Sequence, residues 1–252
     1  MLDEVHIEHD AWAYGLPKIR SAGKIELGPV YGILPFSGIR NPISVSNTSQ
    51  KVMLPYKTLA NNWVPKVGAA ESAAEAAVAE EALVSPAIYD VEFQPVEFGY
   101  QFPAGRKRSH TIDLRLTFKS GLKRFVFVRN RRSLEKAETQ DEIEAIKLAV
   151  PREEAHQFAV ADADAYTRPR RDNLRRMHRA VCFEPDPLAD EIVSHAIERL
   201  PNLWRMSDIG KLIEISNARV FDSCLRLIAN GVLAANMDAV ICHHSRIWRA
   251  VQ

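Results

Sequence analysis

The chain has 252 residues, 46% of them hydrophobic and 26% charged, with a formal net charge of +1, a balance that excludes a disordered or fibrous chain and leaves room for two modest domains. No apolar run reaches the roughly 18 to 20 residues of a membrane span, and the opening MLDEVHIEHD is acidic and lacks the apolar stretch of a signal peptide, so the expectation is a cytoplasmic protein without a membrane partner. Cys182, Cys224 and Cys242 are odd in number and far apart, which excludes a disulfide framework.

In chain order, residues 1–66 are rich in Gly, Pro and β-branched residues and predict an N-terminal β-rich arm of short strands and turns. An Ala-rich helix follows from Glu71 to Leu83, and its Glu71, Glu75, Glu80 and Glu81 read most simply as solvated glutamates. His110 to Asn130 predicts a β-hairpin. Alternation sets Ile112, Leu114, Leu116 and Phe118 on one face and Thr111, Asp113, Arg115 and Thr117 on the other. A Lys119 to Gly121 turn then leads into a second strand, Leu122 to Arg129. An amphipathic helix over QDEIEAIKLAV ends at Pro151, since proline cannot continue it.

The last third predicts helices and a short hairpin. Pro187 to Leu200 carries Leu188, Ile192, His195, Ala196 and Leu200 at helical spacing. Ser207 is placed to cap a short helix ending near Ile213, and Ser216 to cap a longer one, Asn217 to Ala229, that stops at Asn230-Gly231. Val220, Leu225, Leu227 and Ile228 are assigned to its core face. The residues after it alternate enough for two strands, so the expected unit is a winged helix-turn-helix, with Asn217, Arg219, Asp222 and Arg226 on or near the recognition helix. His243, His244, Arg246 and Arg249 would decorate the wing. Cys242-His243-His244 resembles a metal cluster only superficially, because three adjacent strand residues cannot all face one ion.

ESAAEAAVAEEALVSPAIYDVEFQPVEFGY, with Glu75, Pro86, Tyr89, Gln94 and Pro95, resembles the start of the TnsA-type transposon endonucleases of the PD-(D/E)xK superfamily. The hairpin, then QFAVADADAY and Asn173-Leu174, continue the resemblance in order over roughly residues 71–179. It implies an α/β fold: a restriction-endonuclease-like mixed sheet flanked by helices over 67–180, between the arm at 1–66 and the winged helix at 181–252. It also implies a metal-binding Glu on the helix, an Asp on the first hairpin strand, and a carboxylate or Gln followed two residues later by Lys on the second. Those positions hold Glu75, Asp113, Phe127 and Arg129. Phe127 offers no ligand, and Arg129 stays protonated and presents a fork suited to phosphate. The expectation is therefore a pseudonuclease with vestigial catalytic positions and no cofactor. The alternative is an active Mg²⁺-dependent endonuclease whose site is completed by migrated carboxylates such as Glu135 or Glu138.

Charge is segregated beneath the near-neutral total. Residues 106–136 hold eleven basic residues against Asp113 and Glu135, a local charge of +9. A second cluster holds Arg168, Arg170, Arg171, Arg175, Arg176 and Arg179. Such polarity points to a surface that tracks phosphates, so double-stranded DNA is the expected partner, in a transcriptional or nucleoid-associated role. The candidate DNA-binding residues are Arg106, Lys107, Arg108, Lys123, Arg124, Arg129, Arg131, Arg132, Arg170, Arg171, Arg175, Arg176, Asn217, Arg219, Arg226 and Arg246. A homodimer reading two half-sites and a transposase-like partner are the protein associations consistent with this reading.

Overall fold

A computed structural model describes residues 28–44, 50–102, 105–200 and 205–250. Of the expected N-terminal arm, 1–27 and 45–49 lie outside the described residues. The described chain is mixed α/β, with four sheets and seven α-helices. No described helix is long and apolar enough to cross a membrane.

The arm contributes β1, Val52–Tyr56, which pairs antiparallel with β2, Lys66–Ala70. The expected junction at 66/67 therefore falls inside a strand, and Leu54 and Tyr56 pack in the same core as the helix that follows. That helix is α1, Ala73–Val84. Beyond it run β3 (Ile88–Phe93), β4 (Glu97–Gln101), β5 (Lys107–Thr111), β6 (Leu114–Phe118) and β7 (Lys123–Arg129). Helices α2 (Arg131–Leu134) and α3 (Ala137–Ala149) lead to β8 (Gln157–Asp162) and then to α4, Arg168–Cys182.

The central sheet has the order β3-β6-β7-β8, antiparallel except for the β7–β8 pair. That parallel pair requires a long crossover, which α2 and α3 supply. Strand β7 is buried on both faces, which explains its unbroken Phe125-Val126-Phe127-Val128 run. Val126 and Val128 join Leu114, Leu116 and α1 on one side. Phe125 and Phe127 join Ile112 and the α3 residues Ile143 and Ile146 on the other.

The first strand of the hairpin is not continuous. Ile112 and Leu114, expected on one face, enter opposite cores because the chain changes sheets at Asp113. β5 pairs with β4 and β6 with β3 and β7. At the corner the Ile112 N–H donates to the Val96 carbonyl and the Gln94 N–H donates to the Asp113 carbonyl, 3.0 Å each. The paired register of β6 with β7 ends at Leu114 opposite Val126, and the Val128 N–H donates instead to the Asp113 carboxylate at 2.8 Å. Asp113 is thereby 5% exposed and not a surface residue of an ordinary strand.

The C-terminal third holds α5 (Pro187–Arg199), α6 (Met206–Gly210), α7 (Asn217–Ala229) and the antiparallel pair β9 (Leu233–Ala235) and β10 (Ile247–Arg249). Ser216 caps α7 as expected and Gly231, at φ +70°, follows its end. Two local expectations fail. The buried face of α5 is Ala189, Val193, Ala196 and Ile197, while Leu188 is 59% exposed, because the face packed against α7 is rotated from the one the spacing favoured. Helix α6 starts at Met206 without a side-chain cap, and the Ser207 N–H donates to the His243 carbonyl in place of Ser207 capping anything. α4 belongs to both halves: Leu174 is buried in it, and Met177 and Ala180 complete the C-terminal core with Val84 of α1. Its Asn173 side chain donates to the Met237 and Ala239 carbonyls and accepts from the Ile241 N–H, tying the helix to the segment between β9 and β10.

Candidate functional site

A cleft of about 490 Å³ opens where the start of α1, the end of β7, the 3₁₀ turn Ala163–Ala165 and Arg171 of α4 converge. The entry to α1 is a variant of the capping box in which the glutamate reaches one residue beyond the Ser72 cap. The Glu75 N–H donates to Ser72 Oγ at 3.1 Å, and the Glu75 carboxylate accepts from the Glu71 N–H at 2.8 Å. This geometry turns Glu75 inward, 6% exposed, towards Asp113. Burial raises both carboxyl pKa values, and the Asp113 charge raises that of Glu75 further. Arg129 opposes the shift on each, most directly on Asp113.

Arg129 occupies the place at which a countercharge is needed. Its Nη1 stands 3.7 Å from Asp113 Oδ2 and donates to the Val128 carbonyl at 2.8 Å, with the guanidinium 3.8 Å from the centre of the Phe127 ring. The Phe127 ring is fully buried, 4.9 Å from the His110 ring and 6.2 Å from that of Phe158. On the other flank Arg40 pairs with Glu71 and reaches Gln94 Oε1 at 3.2 Å. Gln94 is wholly buried at φ +49°, an uncommon conformation for a residue other than glycine. Nothing in the sequence signalled Arg40; it lies thirty-five residues before Glu75 in a segment without a recognisable motif.

These residues do not fit Mg²⁺. The ion asks for about six oxygen ligands in near-octahedral geometry, whereas the site offers two buried carboxyls with a fixed cation beside them. Among the described residues no three His, Cys, Asp or Glu side chains are grouped to hold a metal. The carboxylates expected to migrate in do not: Glu135 is exposed at the end of α2, and Glu138 pairs with Arg108 at 3.5 Å.

The candidate phosphate-binding cations divide. Lys123 and Arg124 begin β7 while Arg129 ends it, roughly 20 Å away at the rise of a strand. Several members are committed to partners. Arg108 faces Glu138 and Glu142, Arg124 donates to Gln157, and Arg131 pairs with Asp162 at 2.7 Å. Arg170 pairs with Glu81 at 2.6 Å, Arg175 faces Glu80 at 3.8 Å, and Arg176 donates to the Ile241 carbonyl. Arg115 is held by Glu92 and Glu154. Arg106, Lys107, Lys123, Arg132 and Arg171 make no ion pair among the described residues.

On α7 both expected recognition cations are paired with carboxylates, and one of them is buried. Arg226 is 5% exposed and holds Asp190 and the Glu184 carbonyl, so it serves the core and not a groove. Arg219 pairs with Asp186 at 2.7 Å, leaving Asn217 exposed at the start of the helix and Arg246 exposed before β10. Val220, Leu225 and Leu227 are buried as expected, Ile228 partly. No protein-family model matches the chain, and no curated protein matches it significantly.

Proposed function

We propose that this chain is a double-stranded DNA-binding protein on a TnsA-like, restriction-endonuclease-type core that has lost cleavage, acting as a transcriptional or nucleoid-associated factor. The observation that carries the reading is Arg129, a permanent cation 3.7 Å from Asp113 with Phe127 sealed in the core beside it. Where a nuclease of that type would gather oxygen ligands round an ion, this chain supplies a guanidinium. Its planar fork suits a backbone phosphate; Arg171 lines the same cleft, and Arg132 is exposed on α2 just after it. The C-terminal order of α5, α6, α7 and a two-stranded sheet supports a winged-helix unit, with Asn217 and Arg246 as its exposed polar contacts. The committed cations on α7 favour backbone and shape contacts over a dense set of base contacts.

The test is one series of supercoiled and linear duplexes with Mg²⁺, with Mn²⁺ and with EDTA, scored for mobility shift and cleavage together. A shift that weakens steeply with salt, occurs equally in EDTA, and is reduced on every sequence by Arg132→Glu with Arg171→Glu is the expected result. Cutting that needs metal and vanishes in Asp113→Ala would overturn it.

A further inference from the structure

A second cleft, about 580 Å³, lies between β1 and α4, away from Asp113 and Arg129. Its wall is apolar, from Val52, Leu54 and Phe183, and Lys51, Arg175 and Arg179 bring positive charge to it. Two polar side chains buried in α1 and α4 also line it: Glu80, 3% exposed, and His178, 5% exposed. The His178 Nε2 is buried and has no hydrogen-bond partner among the described residues. Arg175 Nε stands 3.8 Å from Glu80 Oε1, beyond hydrogen-bond distance, so the guanidinium does not close the carboxyl off.

We propose that this cleft binds a small organic anion with a flat apolar body, a carboxylate or phosphate at one end and a hydroxyl at the other. The volume falls within the range of small-molecule sites, and the combination of an apolar wall with a few convergent polar groups is their usual chemistry. The anionic end meets Arg175, 58% exposed along its side chain, and Arg179, 57% exposed, which it shares with Glu184 at 3.1 Å and Asp222 at 3.8 Å. The ring lies on Leu54 and Phe183. The hydroxyl reaches Glu80 and His178, one of which accepts its proton while the other donates. Both groups are suited to the neutral partner: burial lowers the His178 pKa to about 4 and raises that of Glu80 to about 7. A buried imidazole nitrogen left without a partner is costly, and a ligand hydroxyl removes that cost. The site is argued from its own walls and stands whether or not the chain binds DNA.

The test is carried out on the full chain with ¹⁵N-labelled histidine, following the His178 ring by NMR during titration with 4-hydroxybenzoate and 4-hydroxyphenyl phosphate. Benzoate, lacking the hydroxyl, and 4-hydroxybenzyl alcohol, lacking the charge, are the paired controls. The expected result is a saturable shift with a hydroxylated anion, weaker with both controls, and a Kd raised about tenfold by Arg175→Gln or Arg179→Gln, the scale of one lost charge-assisted hydrogen bond. Neither substitution removes a buried side chain, so the fold should be retained. No saturable shift with either anion at millimolar concentration, or a shift indifferent to both arginine substitutions, would overturn the proposal.

Discussion

Glu80 shows how far a single side chain departs from what its neighbours in sequence suggest. It sits on an Ala-rich helix where glutamates read as solvated, yet ten of the twelve residues of α1 are buried, Glu75 and Glu80 among them. Its carboxyl pKa rises from an ordinary 4.5 to about 7, mainly through burial and against the pull of Arg175. The unfolded chain therefore releases this proton first. The group is neutral in both states below about pH 4.5, and its contribution then falls as pH rises, reaching its full penalty above about pH 7. Glu80→Gln should flatten that slope, with a gain on the order of 3 kcal/mol at pH 8 relative to its effect at pH 4. Denaturant titrations of both proteins at the two pH values check it; equal slopes would contradict it. The reason α1 misleads is compositional. With small Ala side chains all round, it has no marked polar face, and a helix of that kind is packed on several sides, here by the sheet and by α4.

Among elements, those with local signals were legible and those set by tertiary contact were not. The Ser216 cap and the Asn230-Gly231 stop delimit α7 because both act within one turn of the helix end. The strand β7 and the helix α3 were visible for similar reasons, whereas the parallel pairing of β7 with β8 was not. The sheet change at Asp113 was not, because unbroken alternation from Thr111 to Phe118 is what a single strand would show. The start of α6 was missed because its first N–H groups are arranged by His243, thirty-six residues on from Ser207, and not by a neighbour. The capping box of α1 is the local signal on which the candidate site depends. Ser72→Ala should cost about 1 kcal/mol, the usual loss for a helix N-cap, and in addition free Glu75 from its inward pose. The loss is measurable as a lower Tm, and an unchanged Tm would show that the cap contributes nothing.

Across the whole molecule, α4 joins what composition alone would separate. Met177 and Ala180 lie in the C-terminal core with Val84, and Asn173 fastens the segment between β9 and β10. Calorimetry of the full chain should give one unfolding transition, and a chain stopped after Ala180 should lose stability throughout, since it uncovers apolar residues of α1 and α4 together. Two well-separated transitions would contradict this coupling. The charge pattern was legible only in total: counting cations along residues 106–136 could not reveal that Arg115 and Arg131 are paired, or that the two ends of β7 face different surroundings. The guanidinium beside Asp113 has one more implication. A cation fixed to a side chain cannot be stripped by a chelator, so on the proposed reading the protein should hold duplex DNA in EDTA as well as in Mg²⁺.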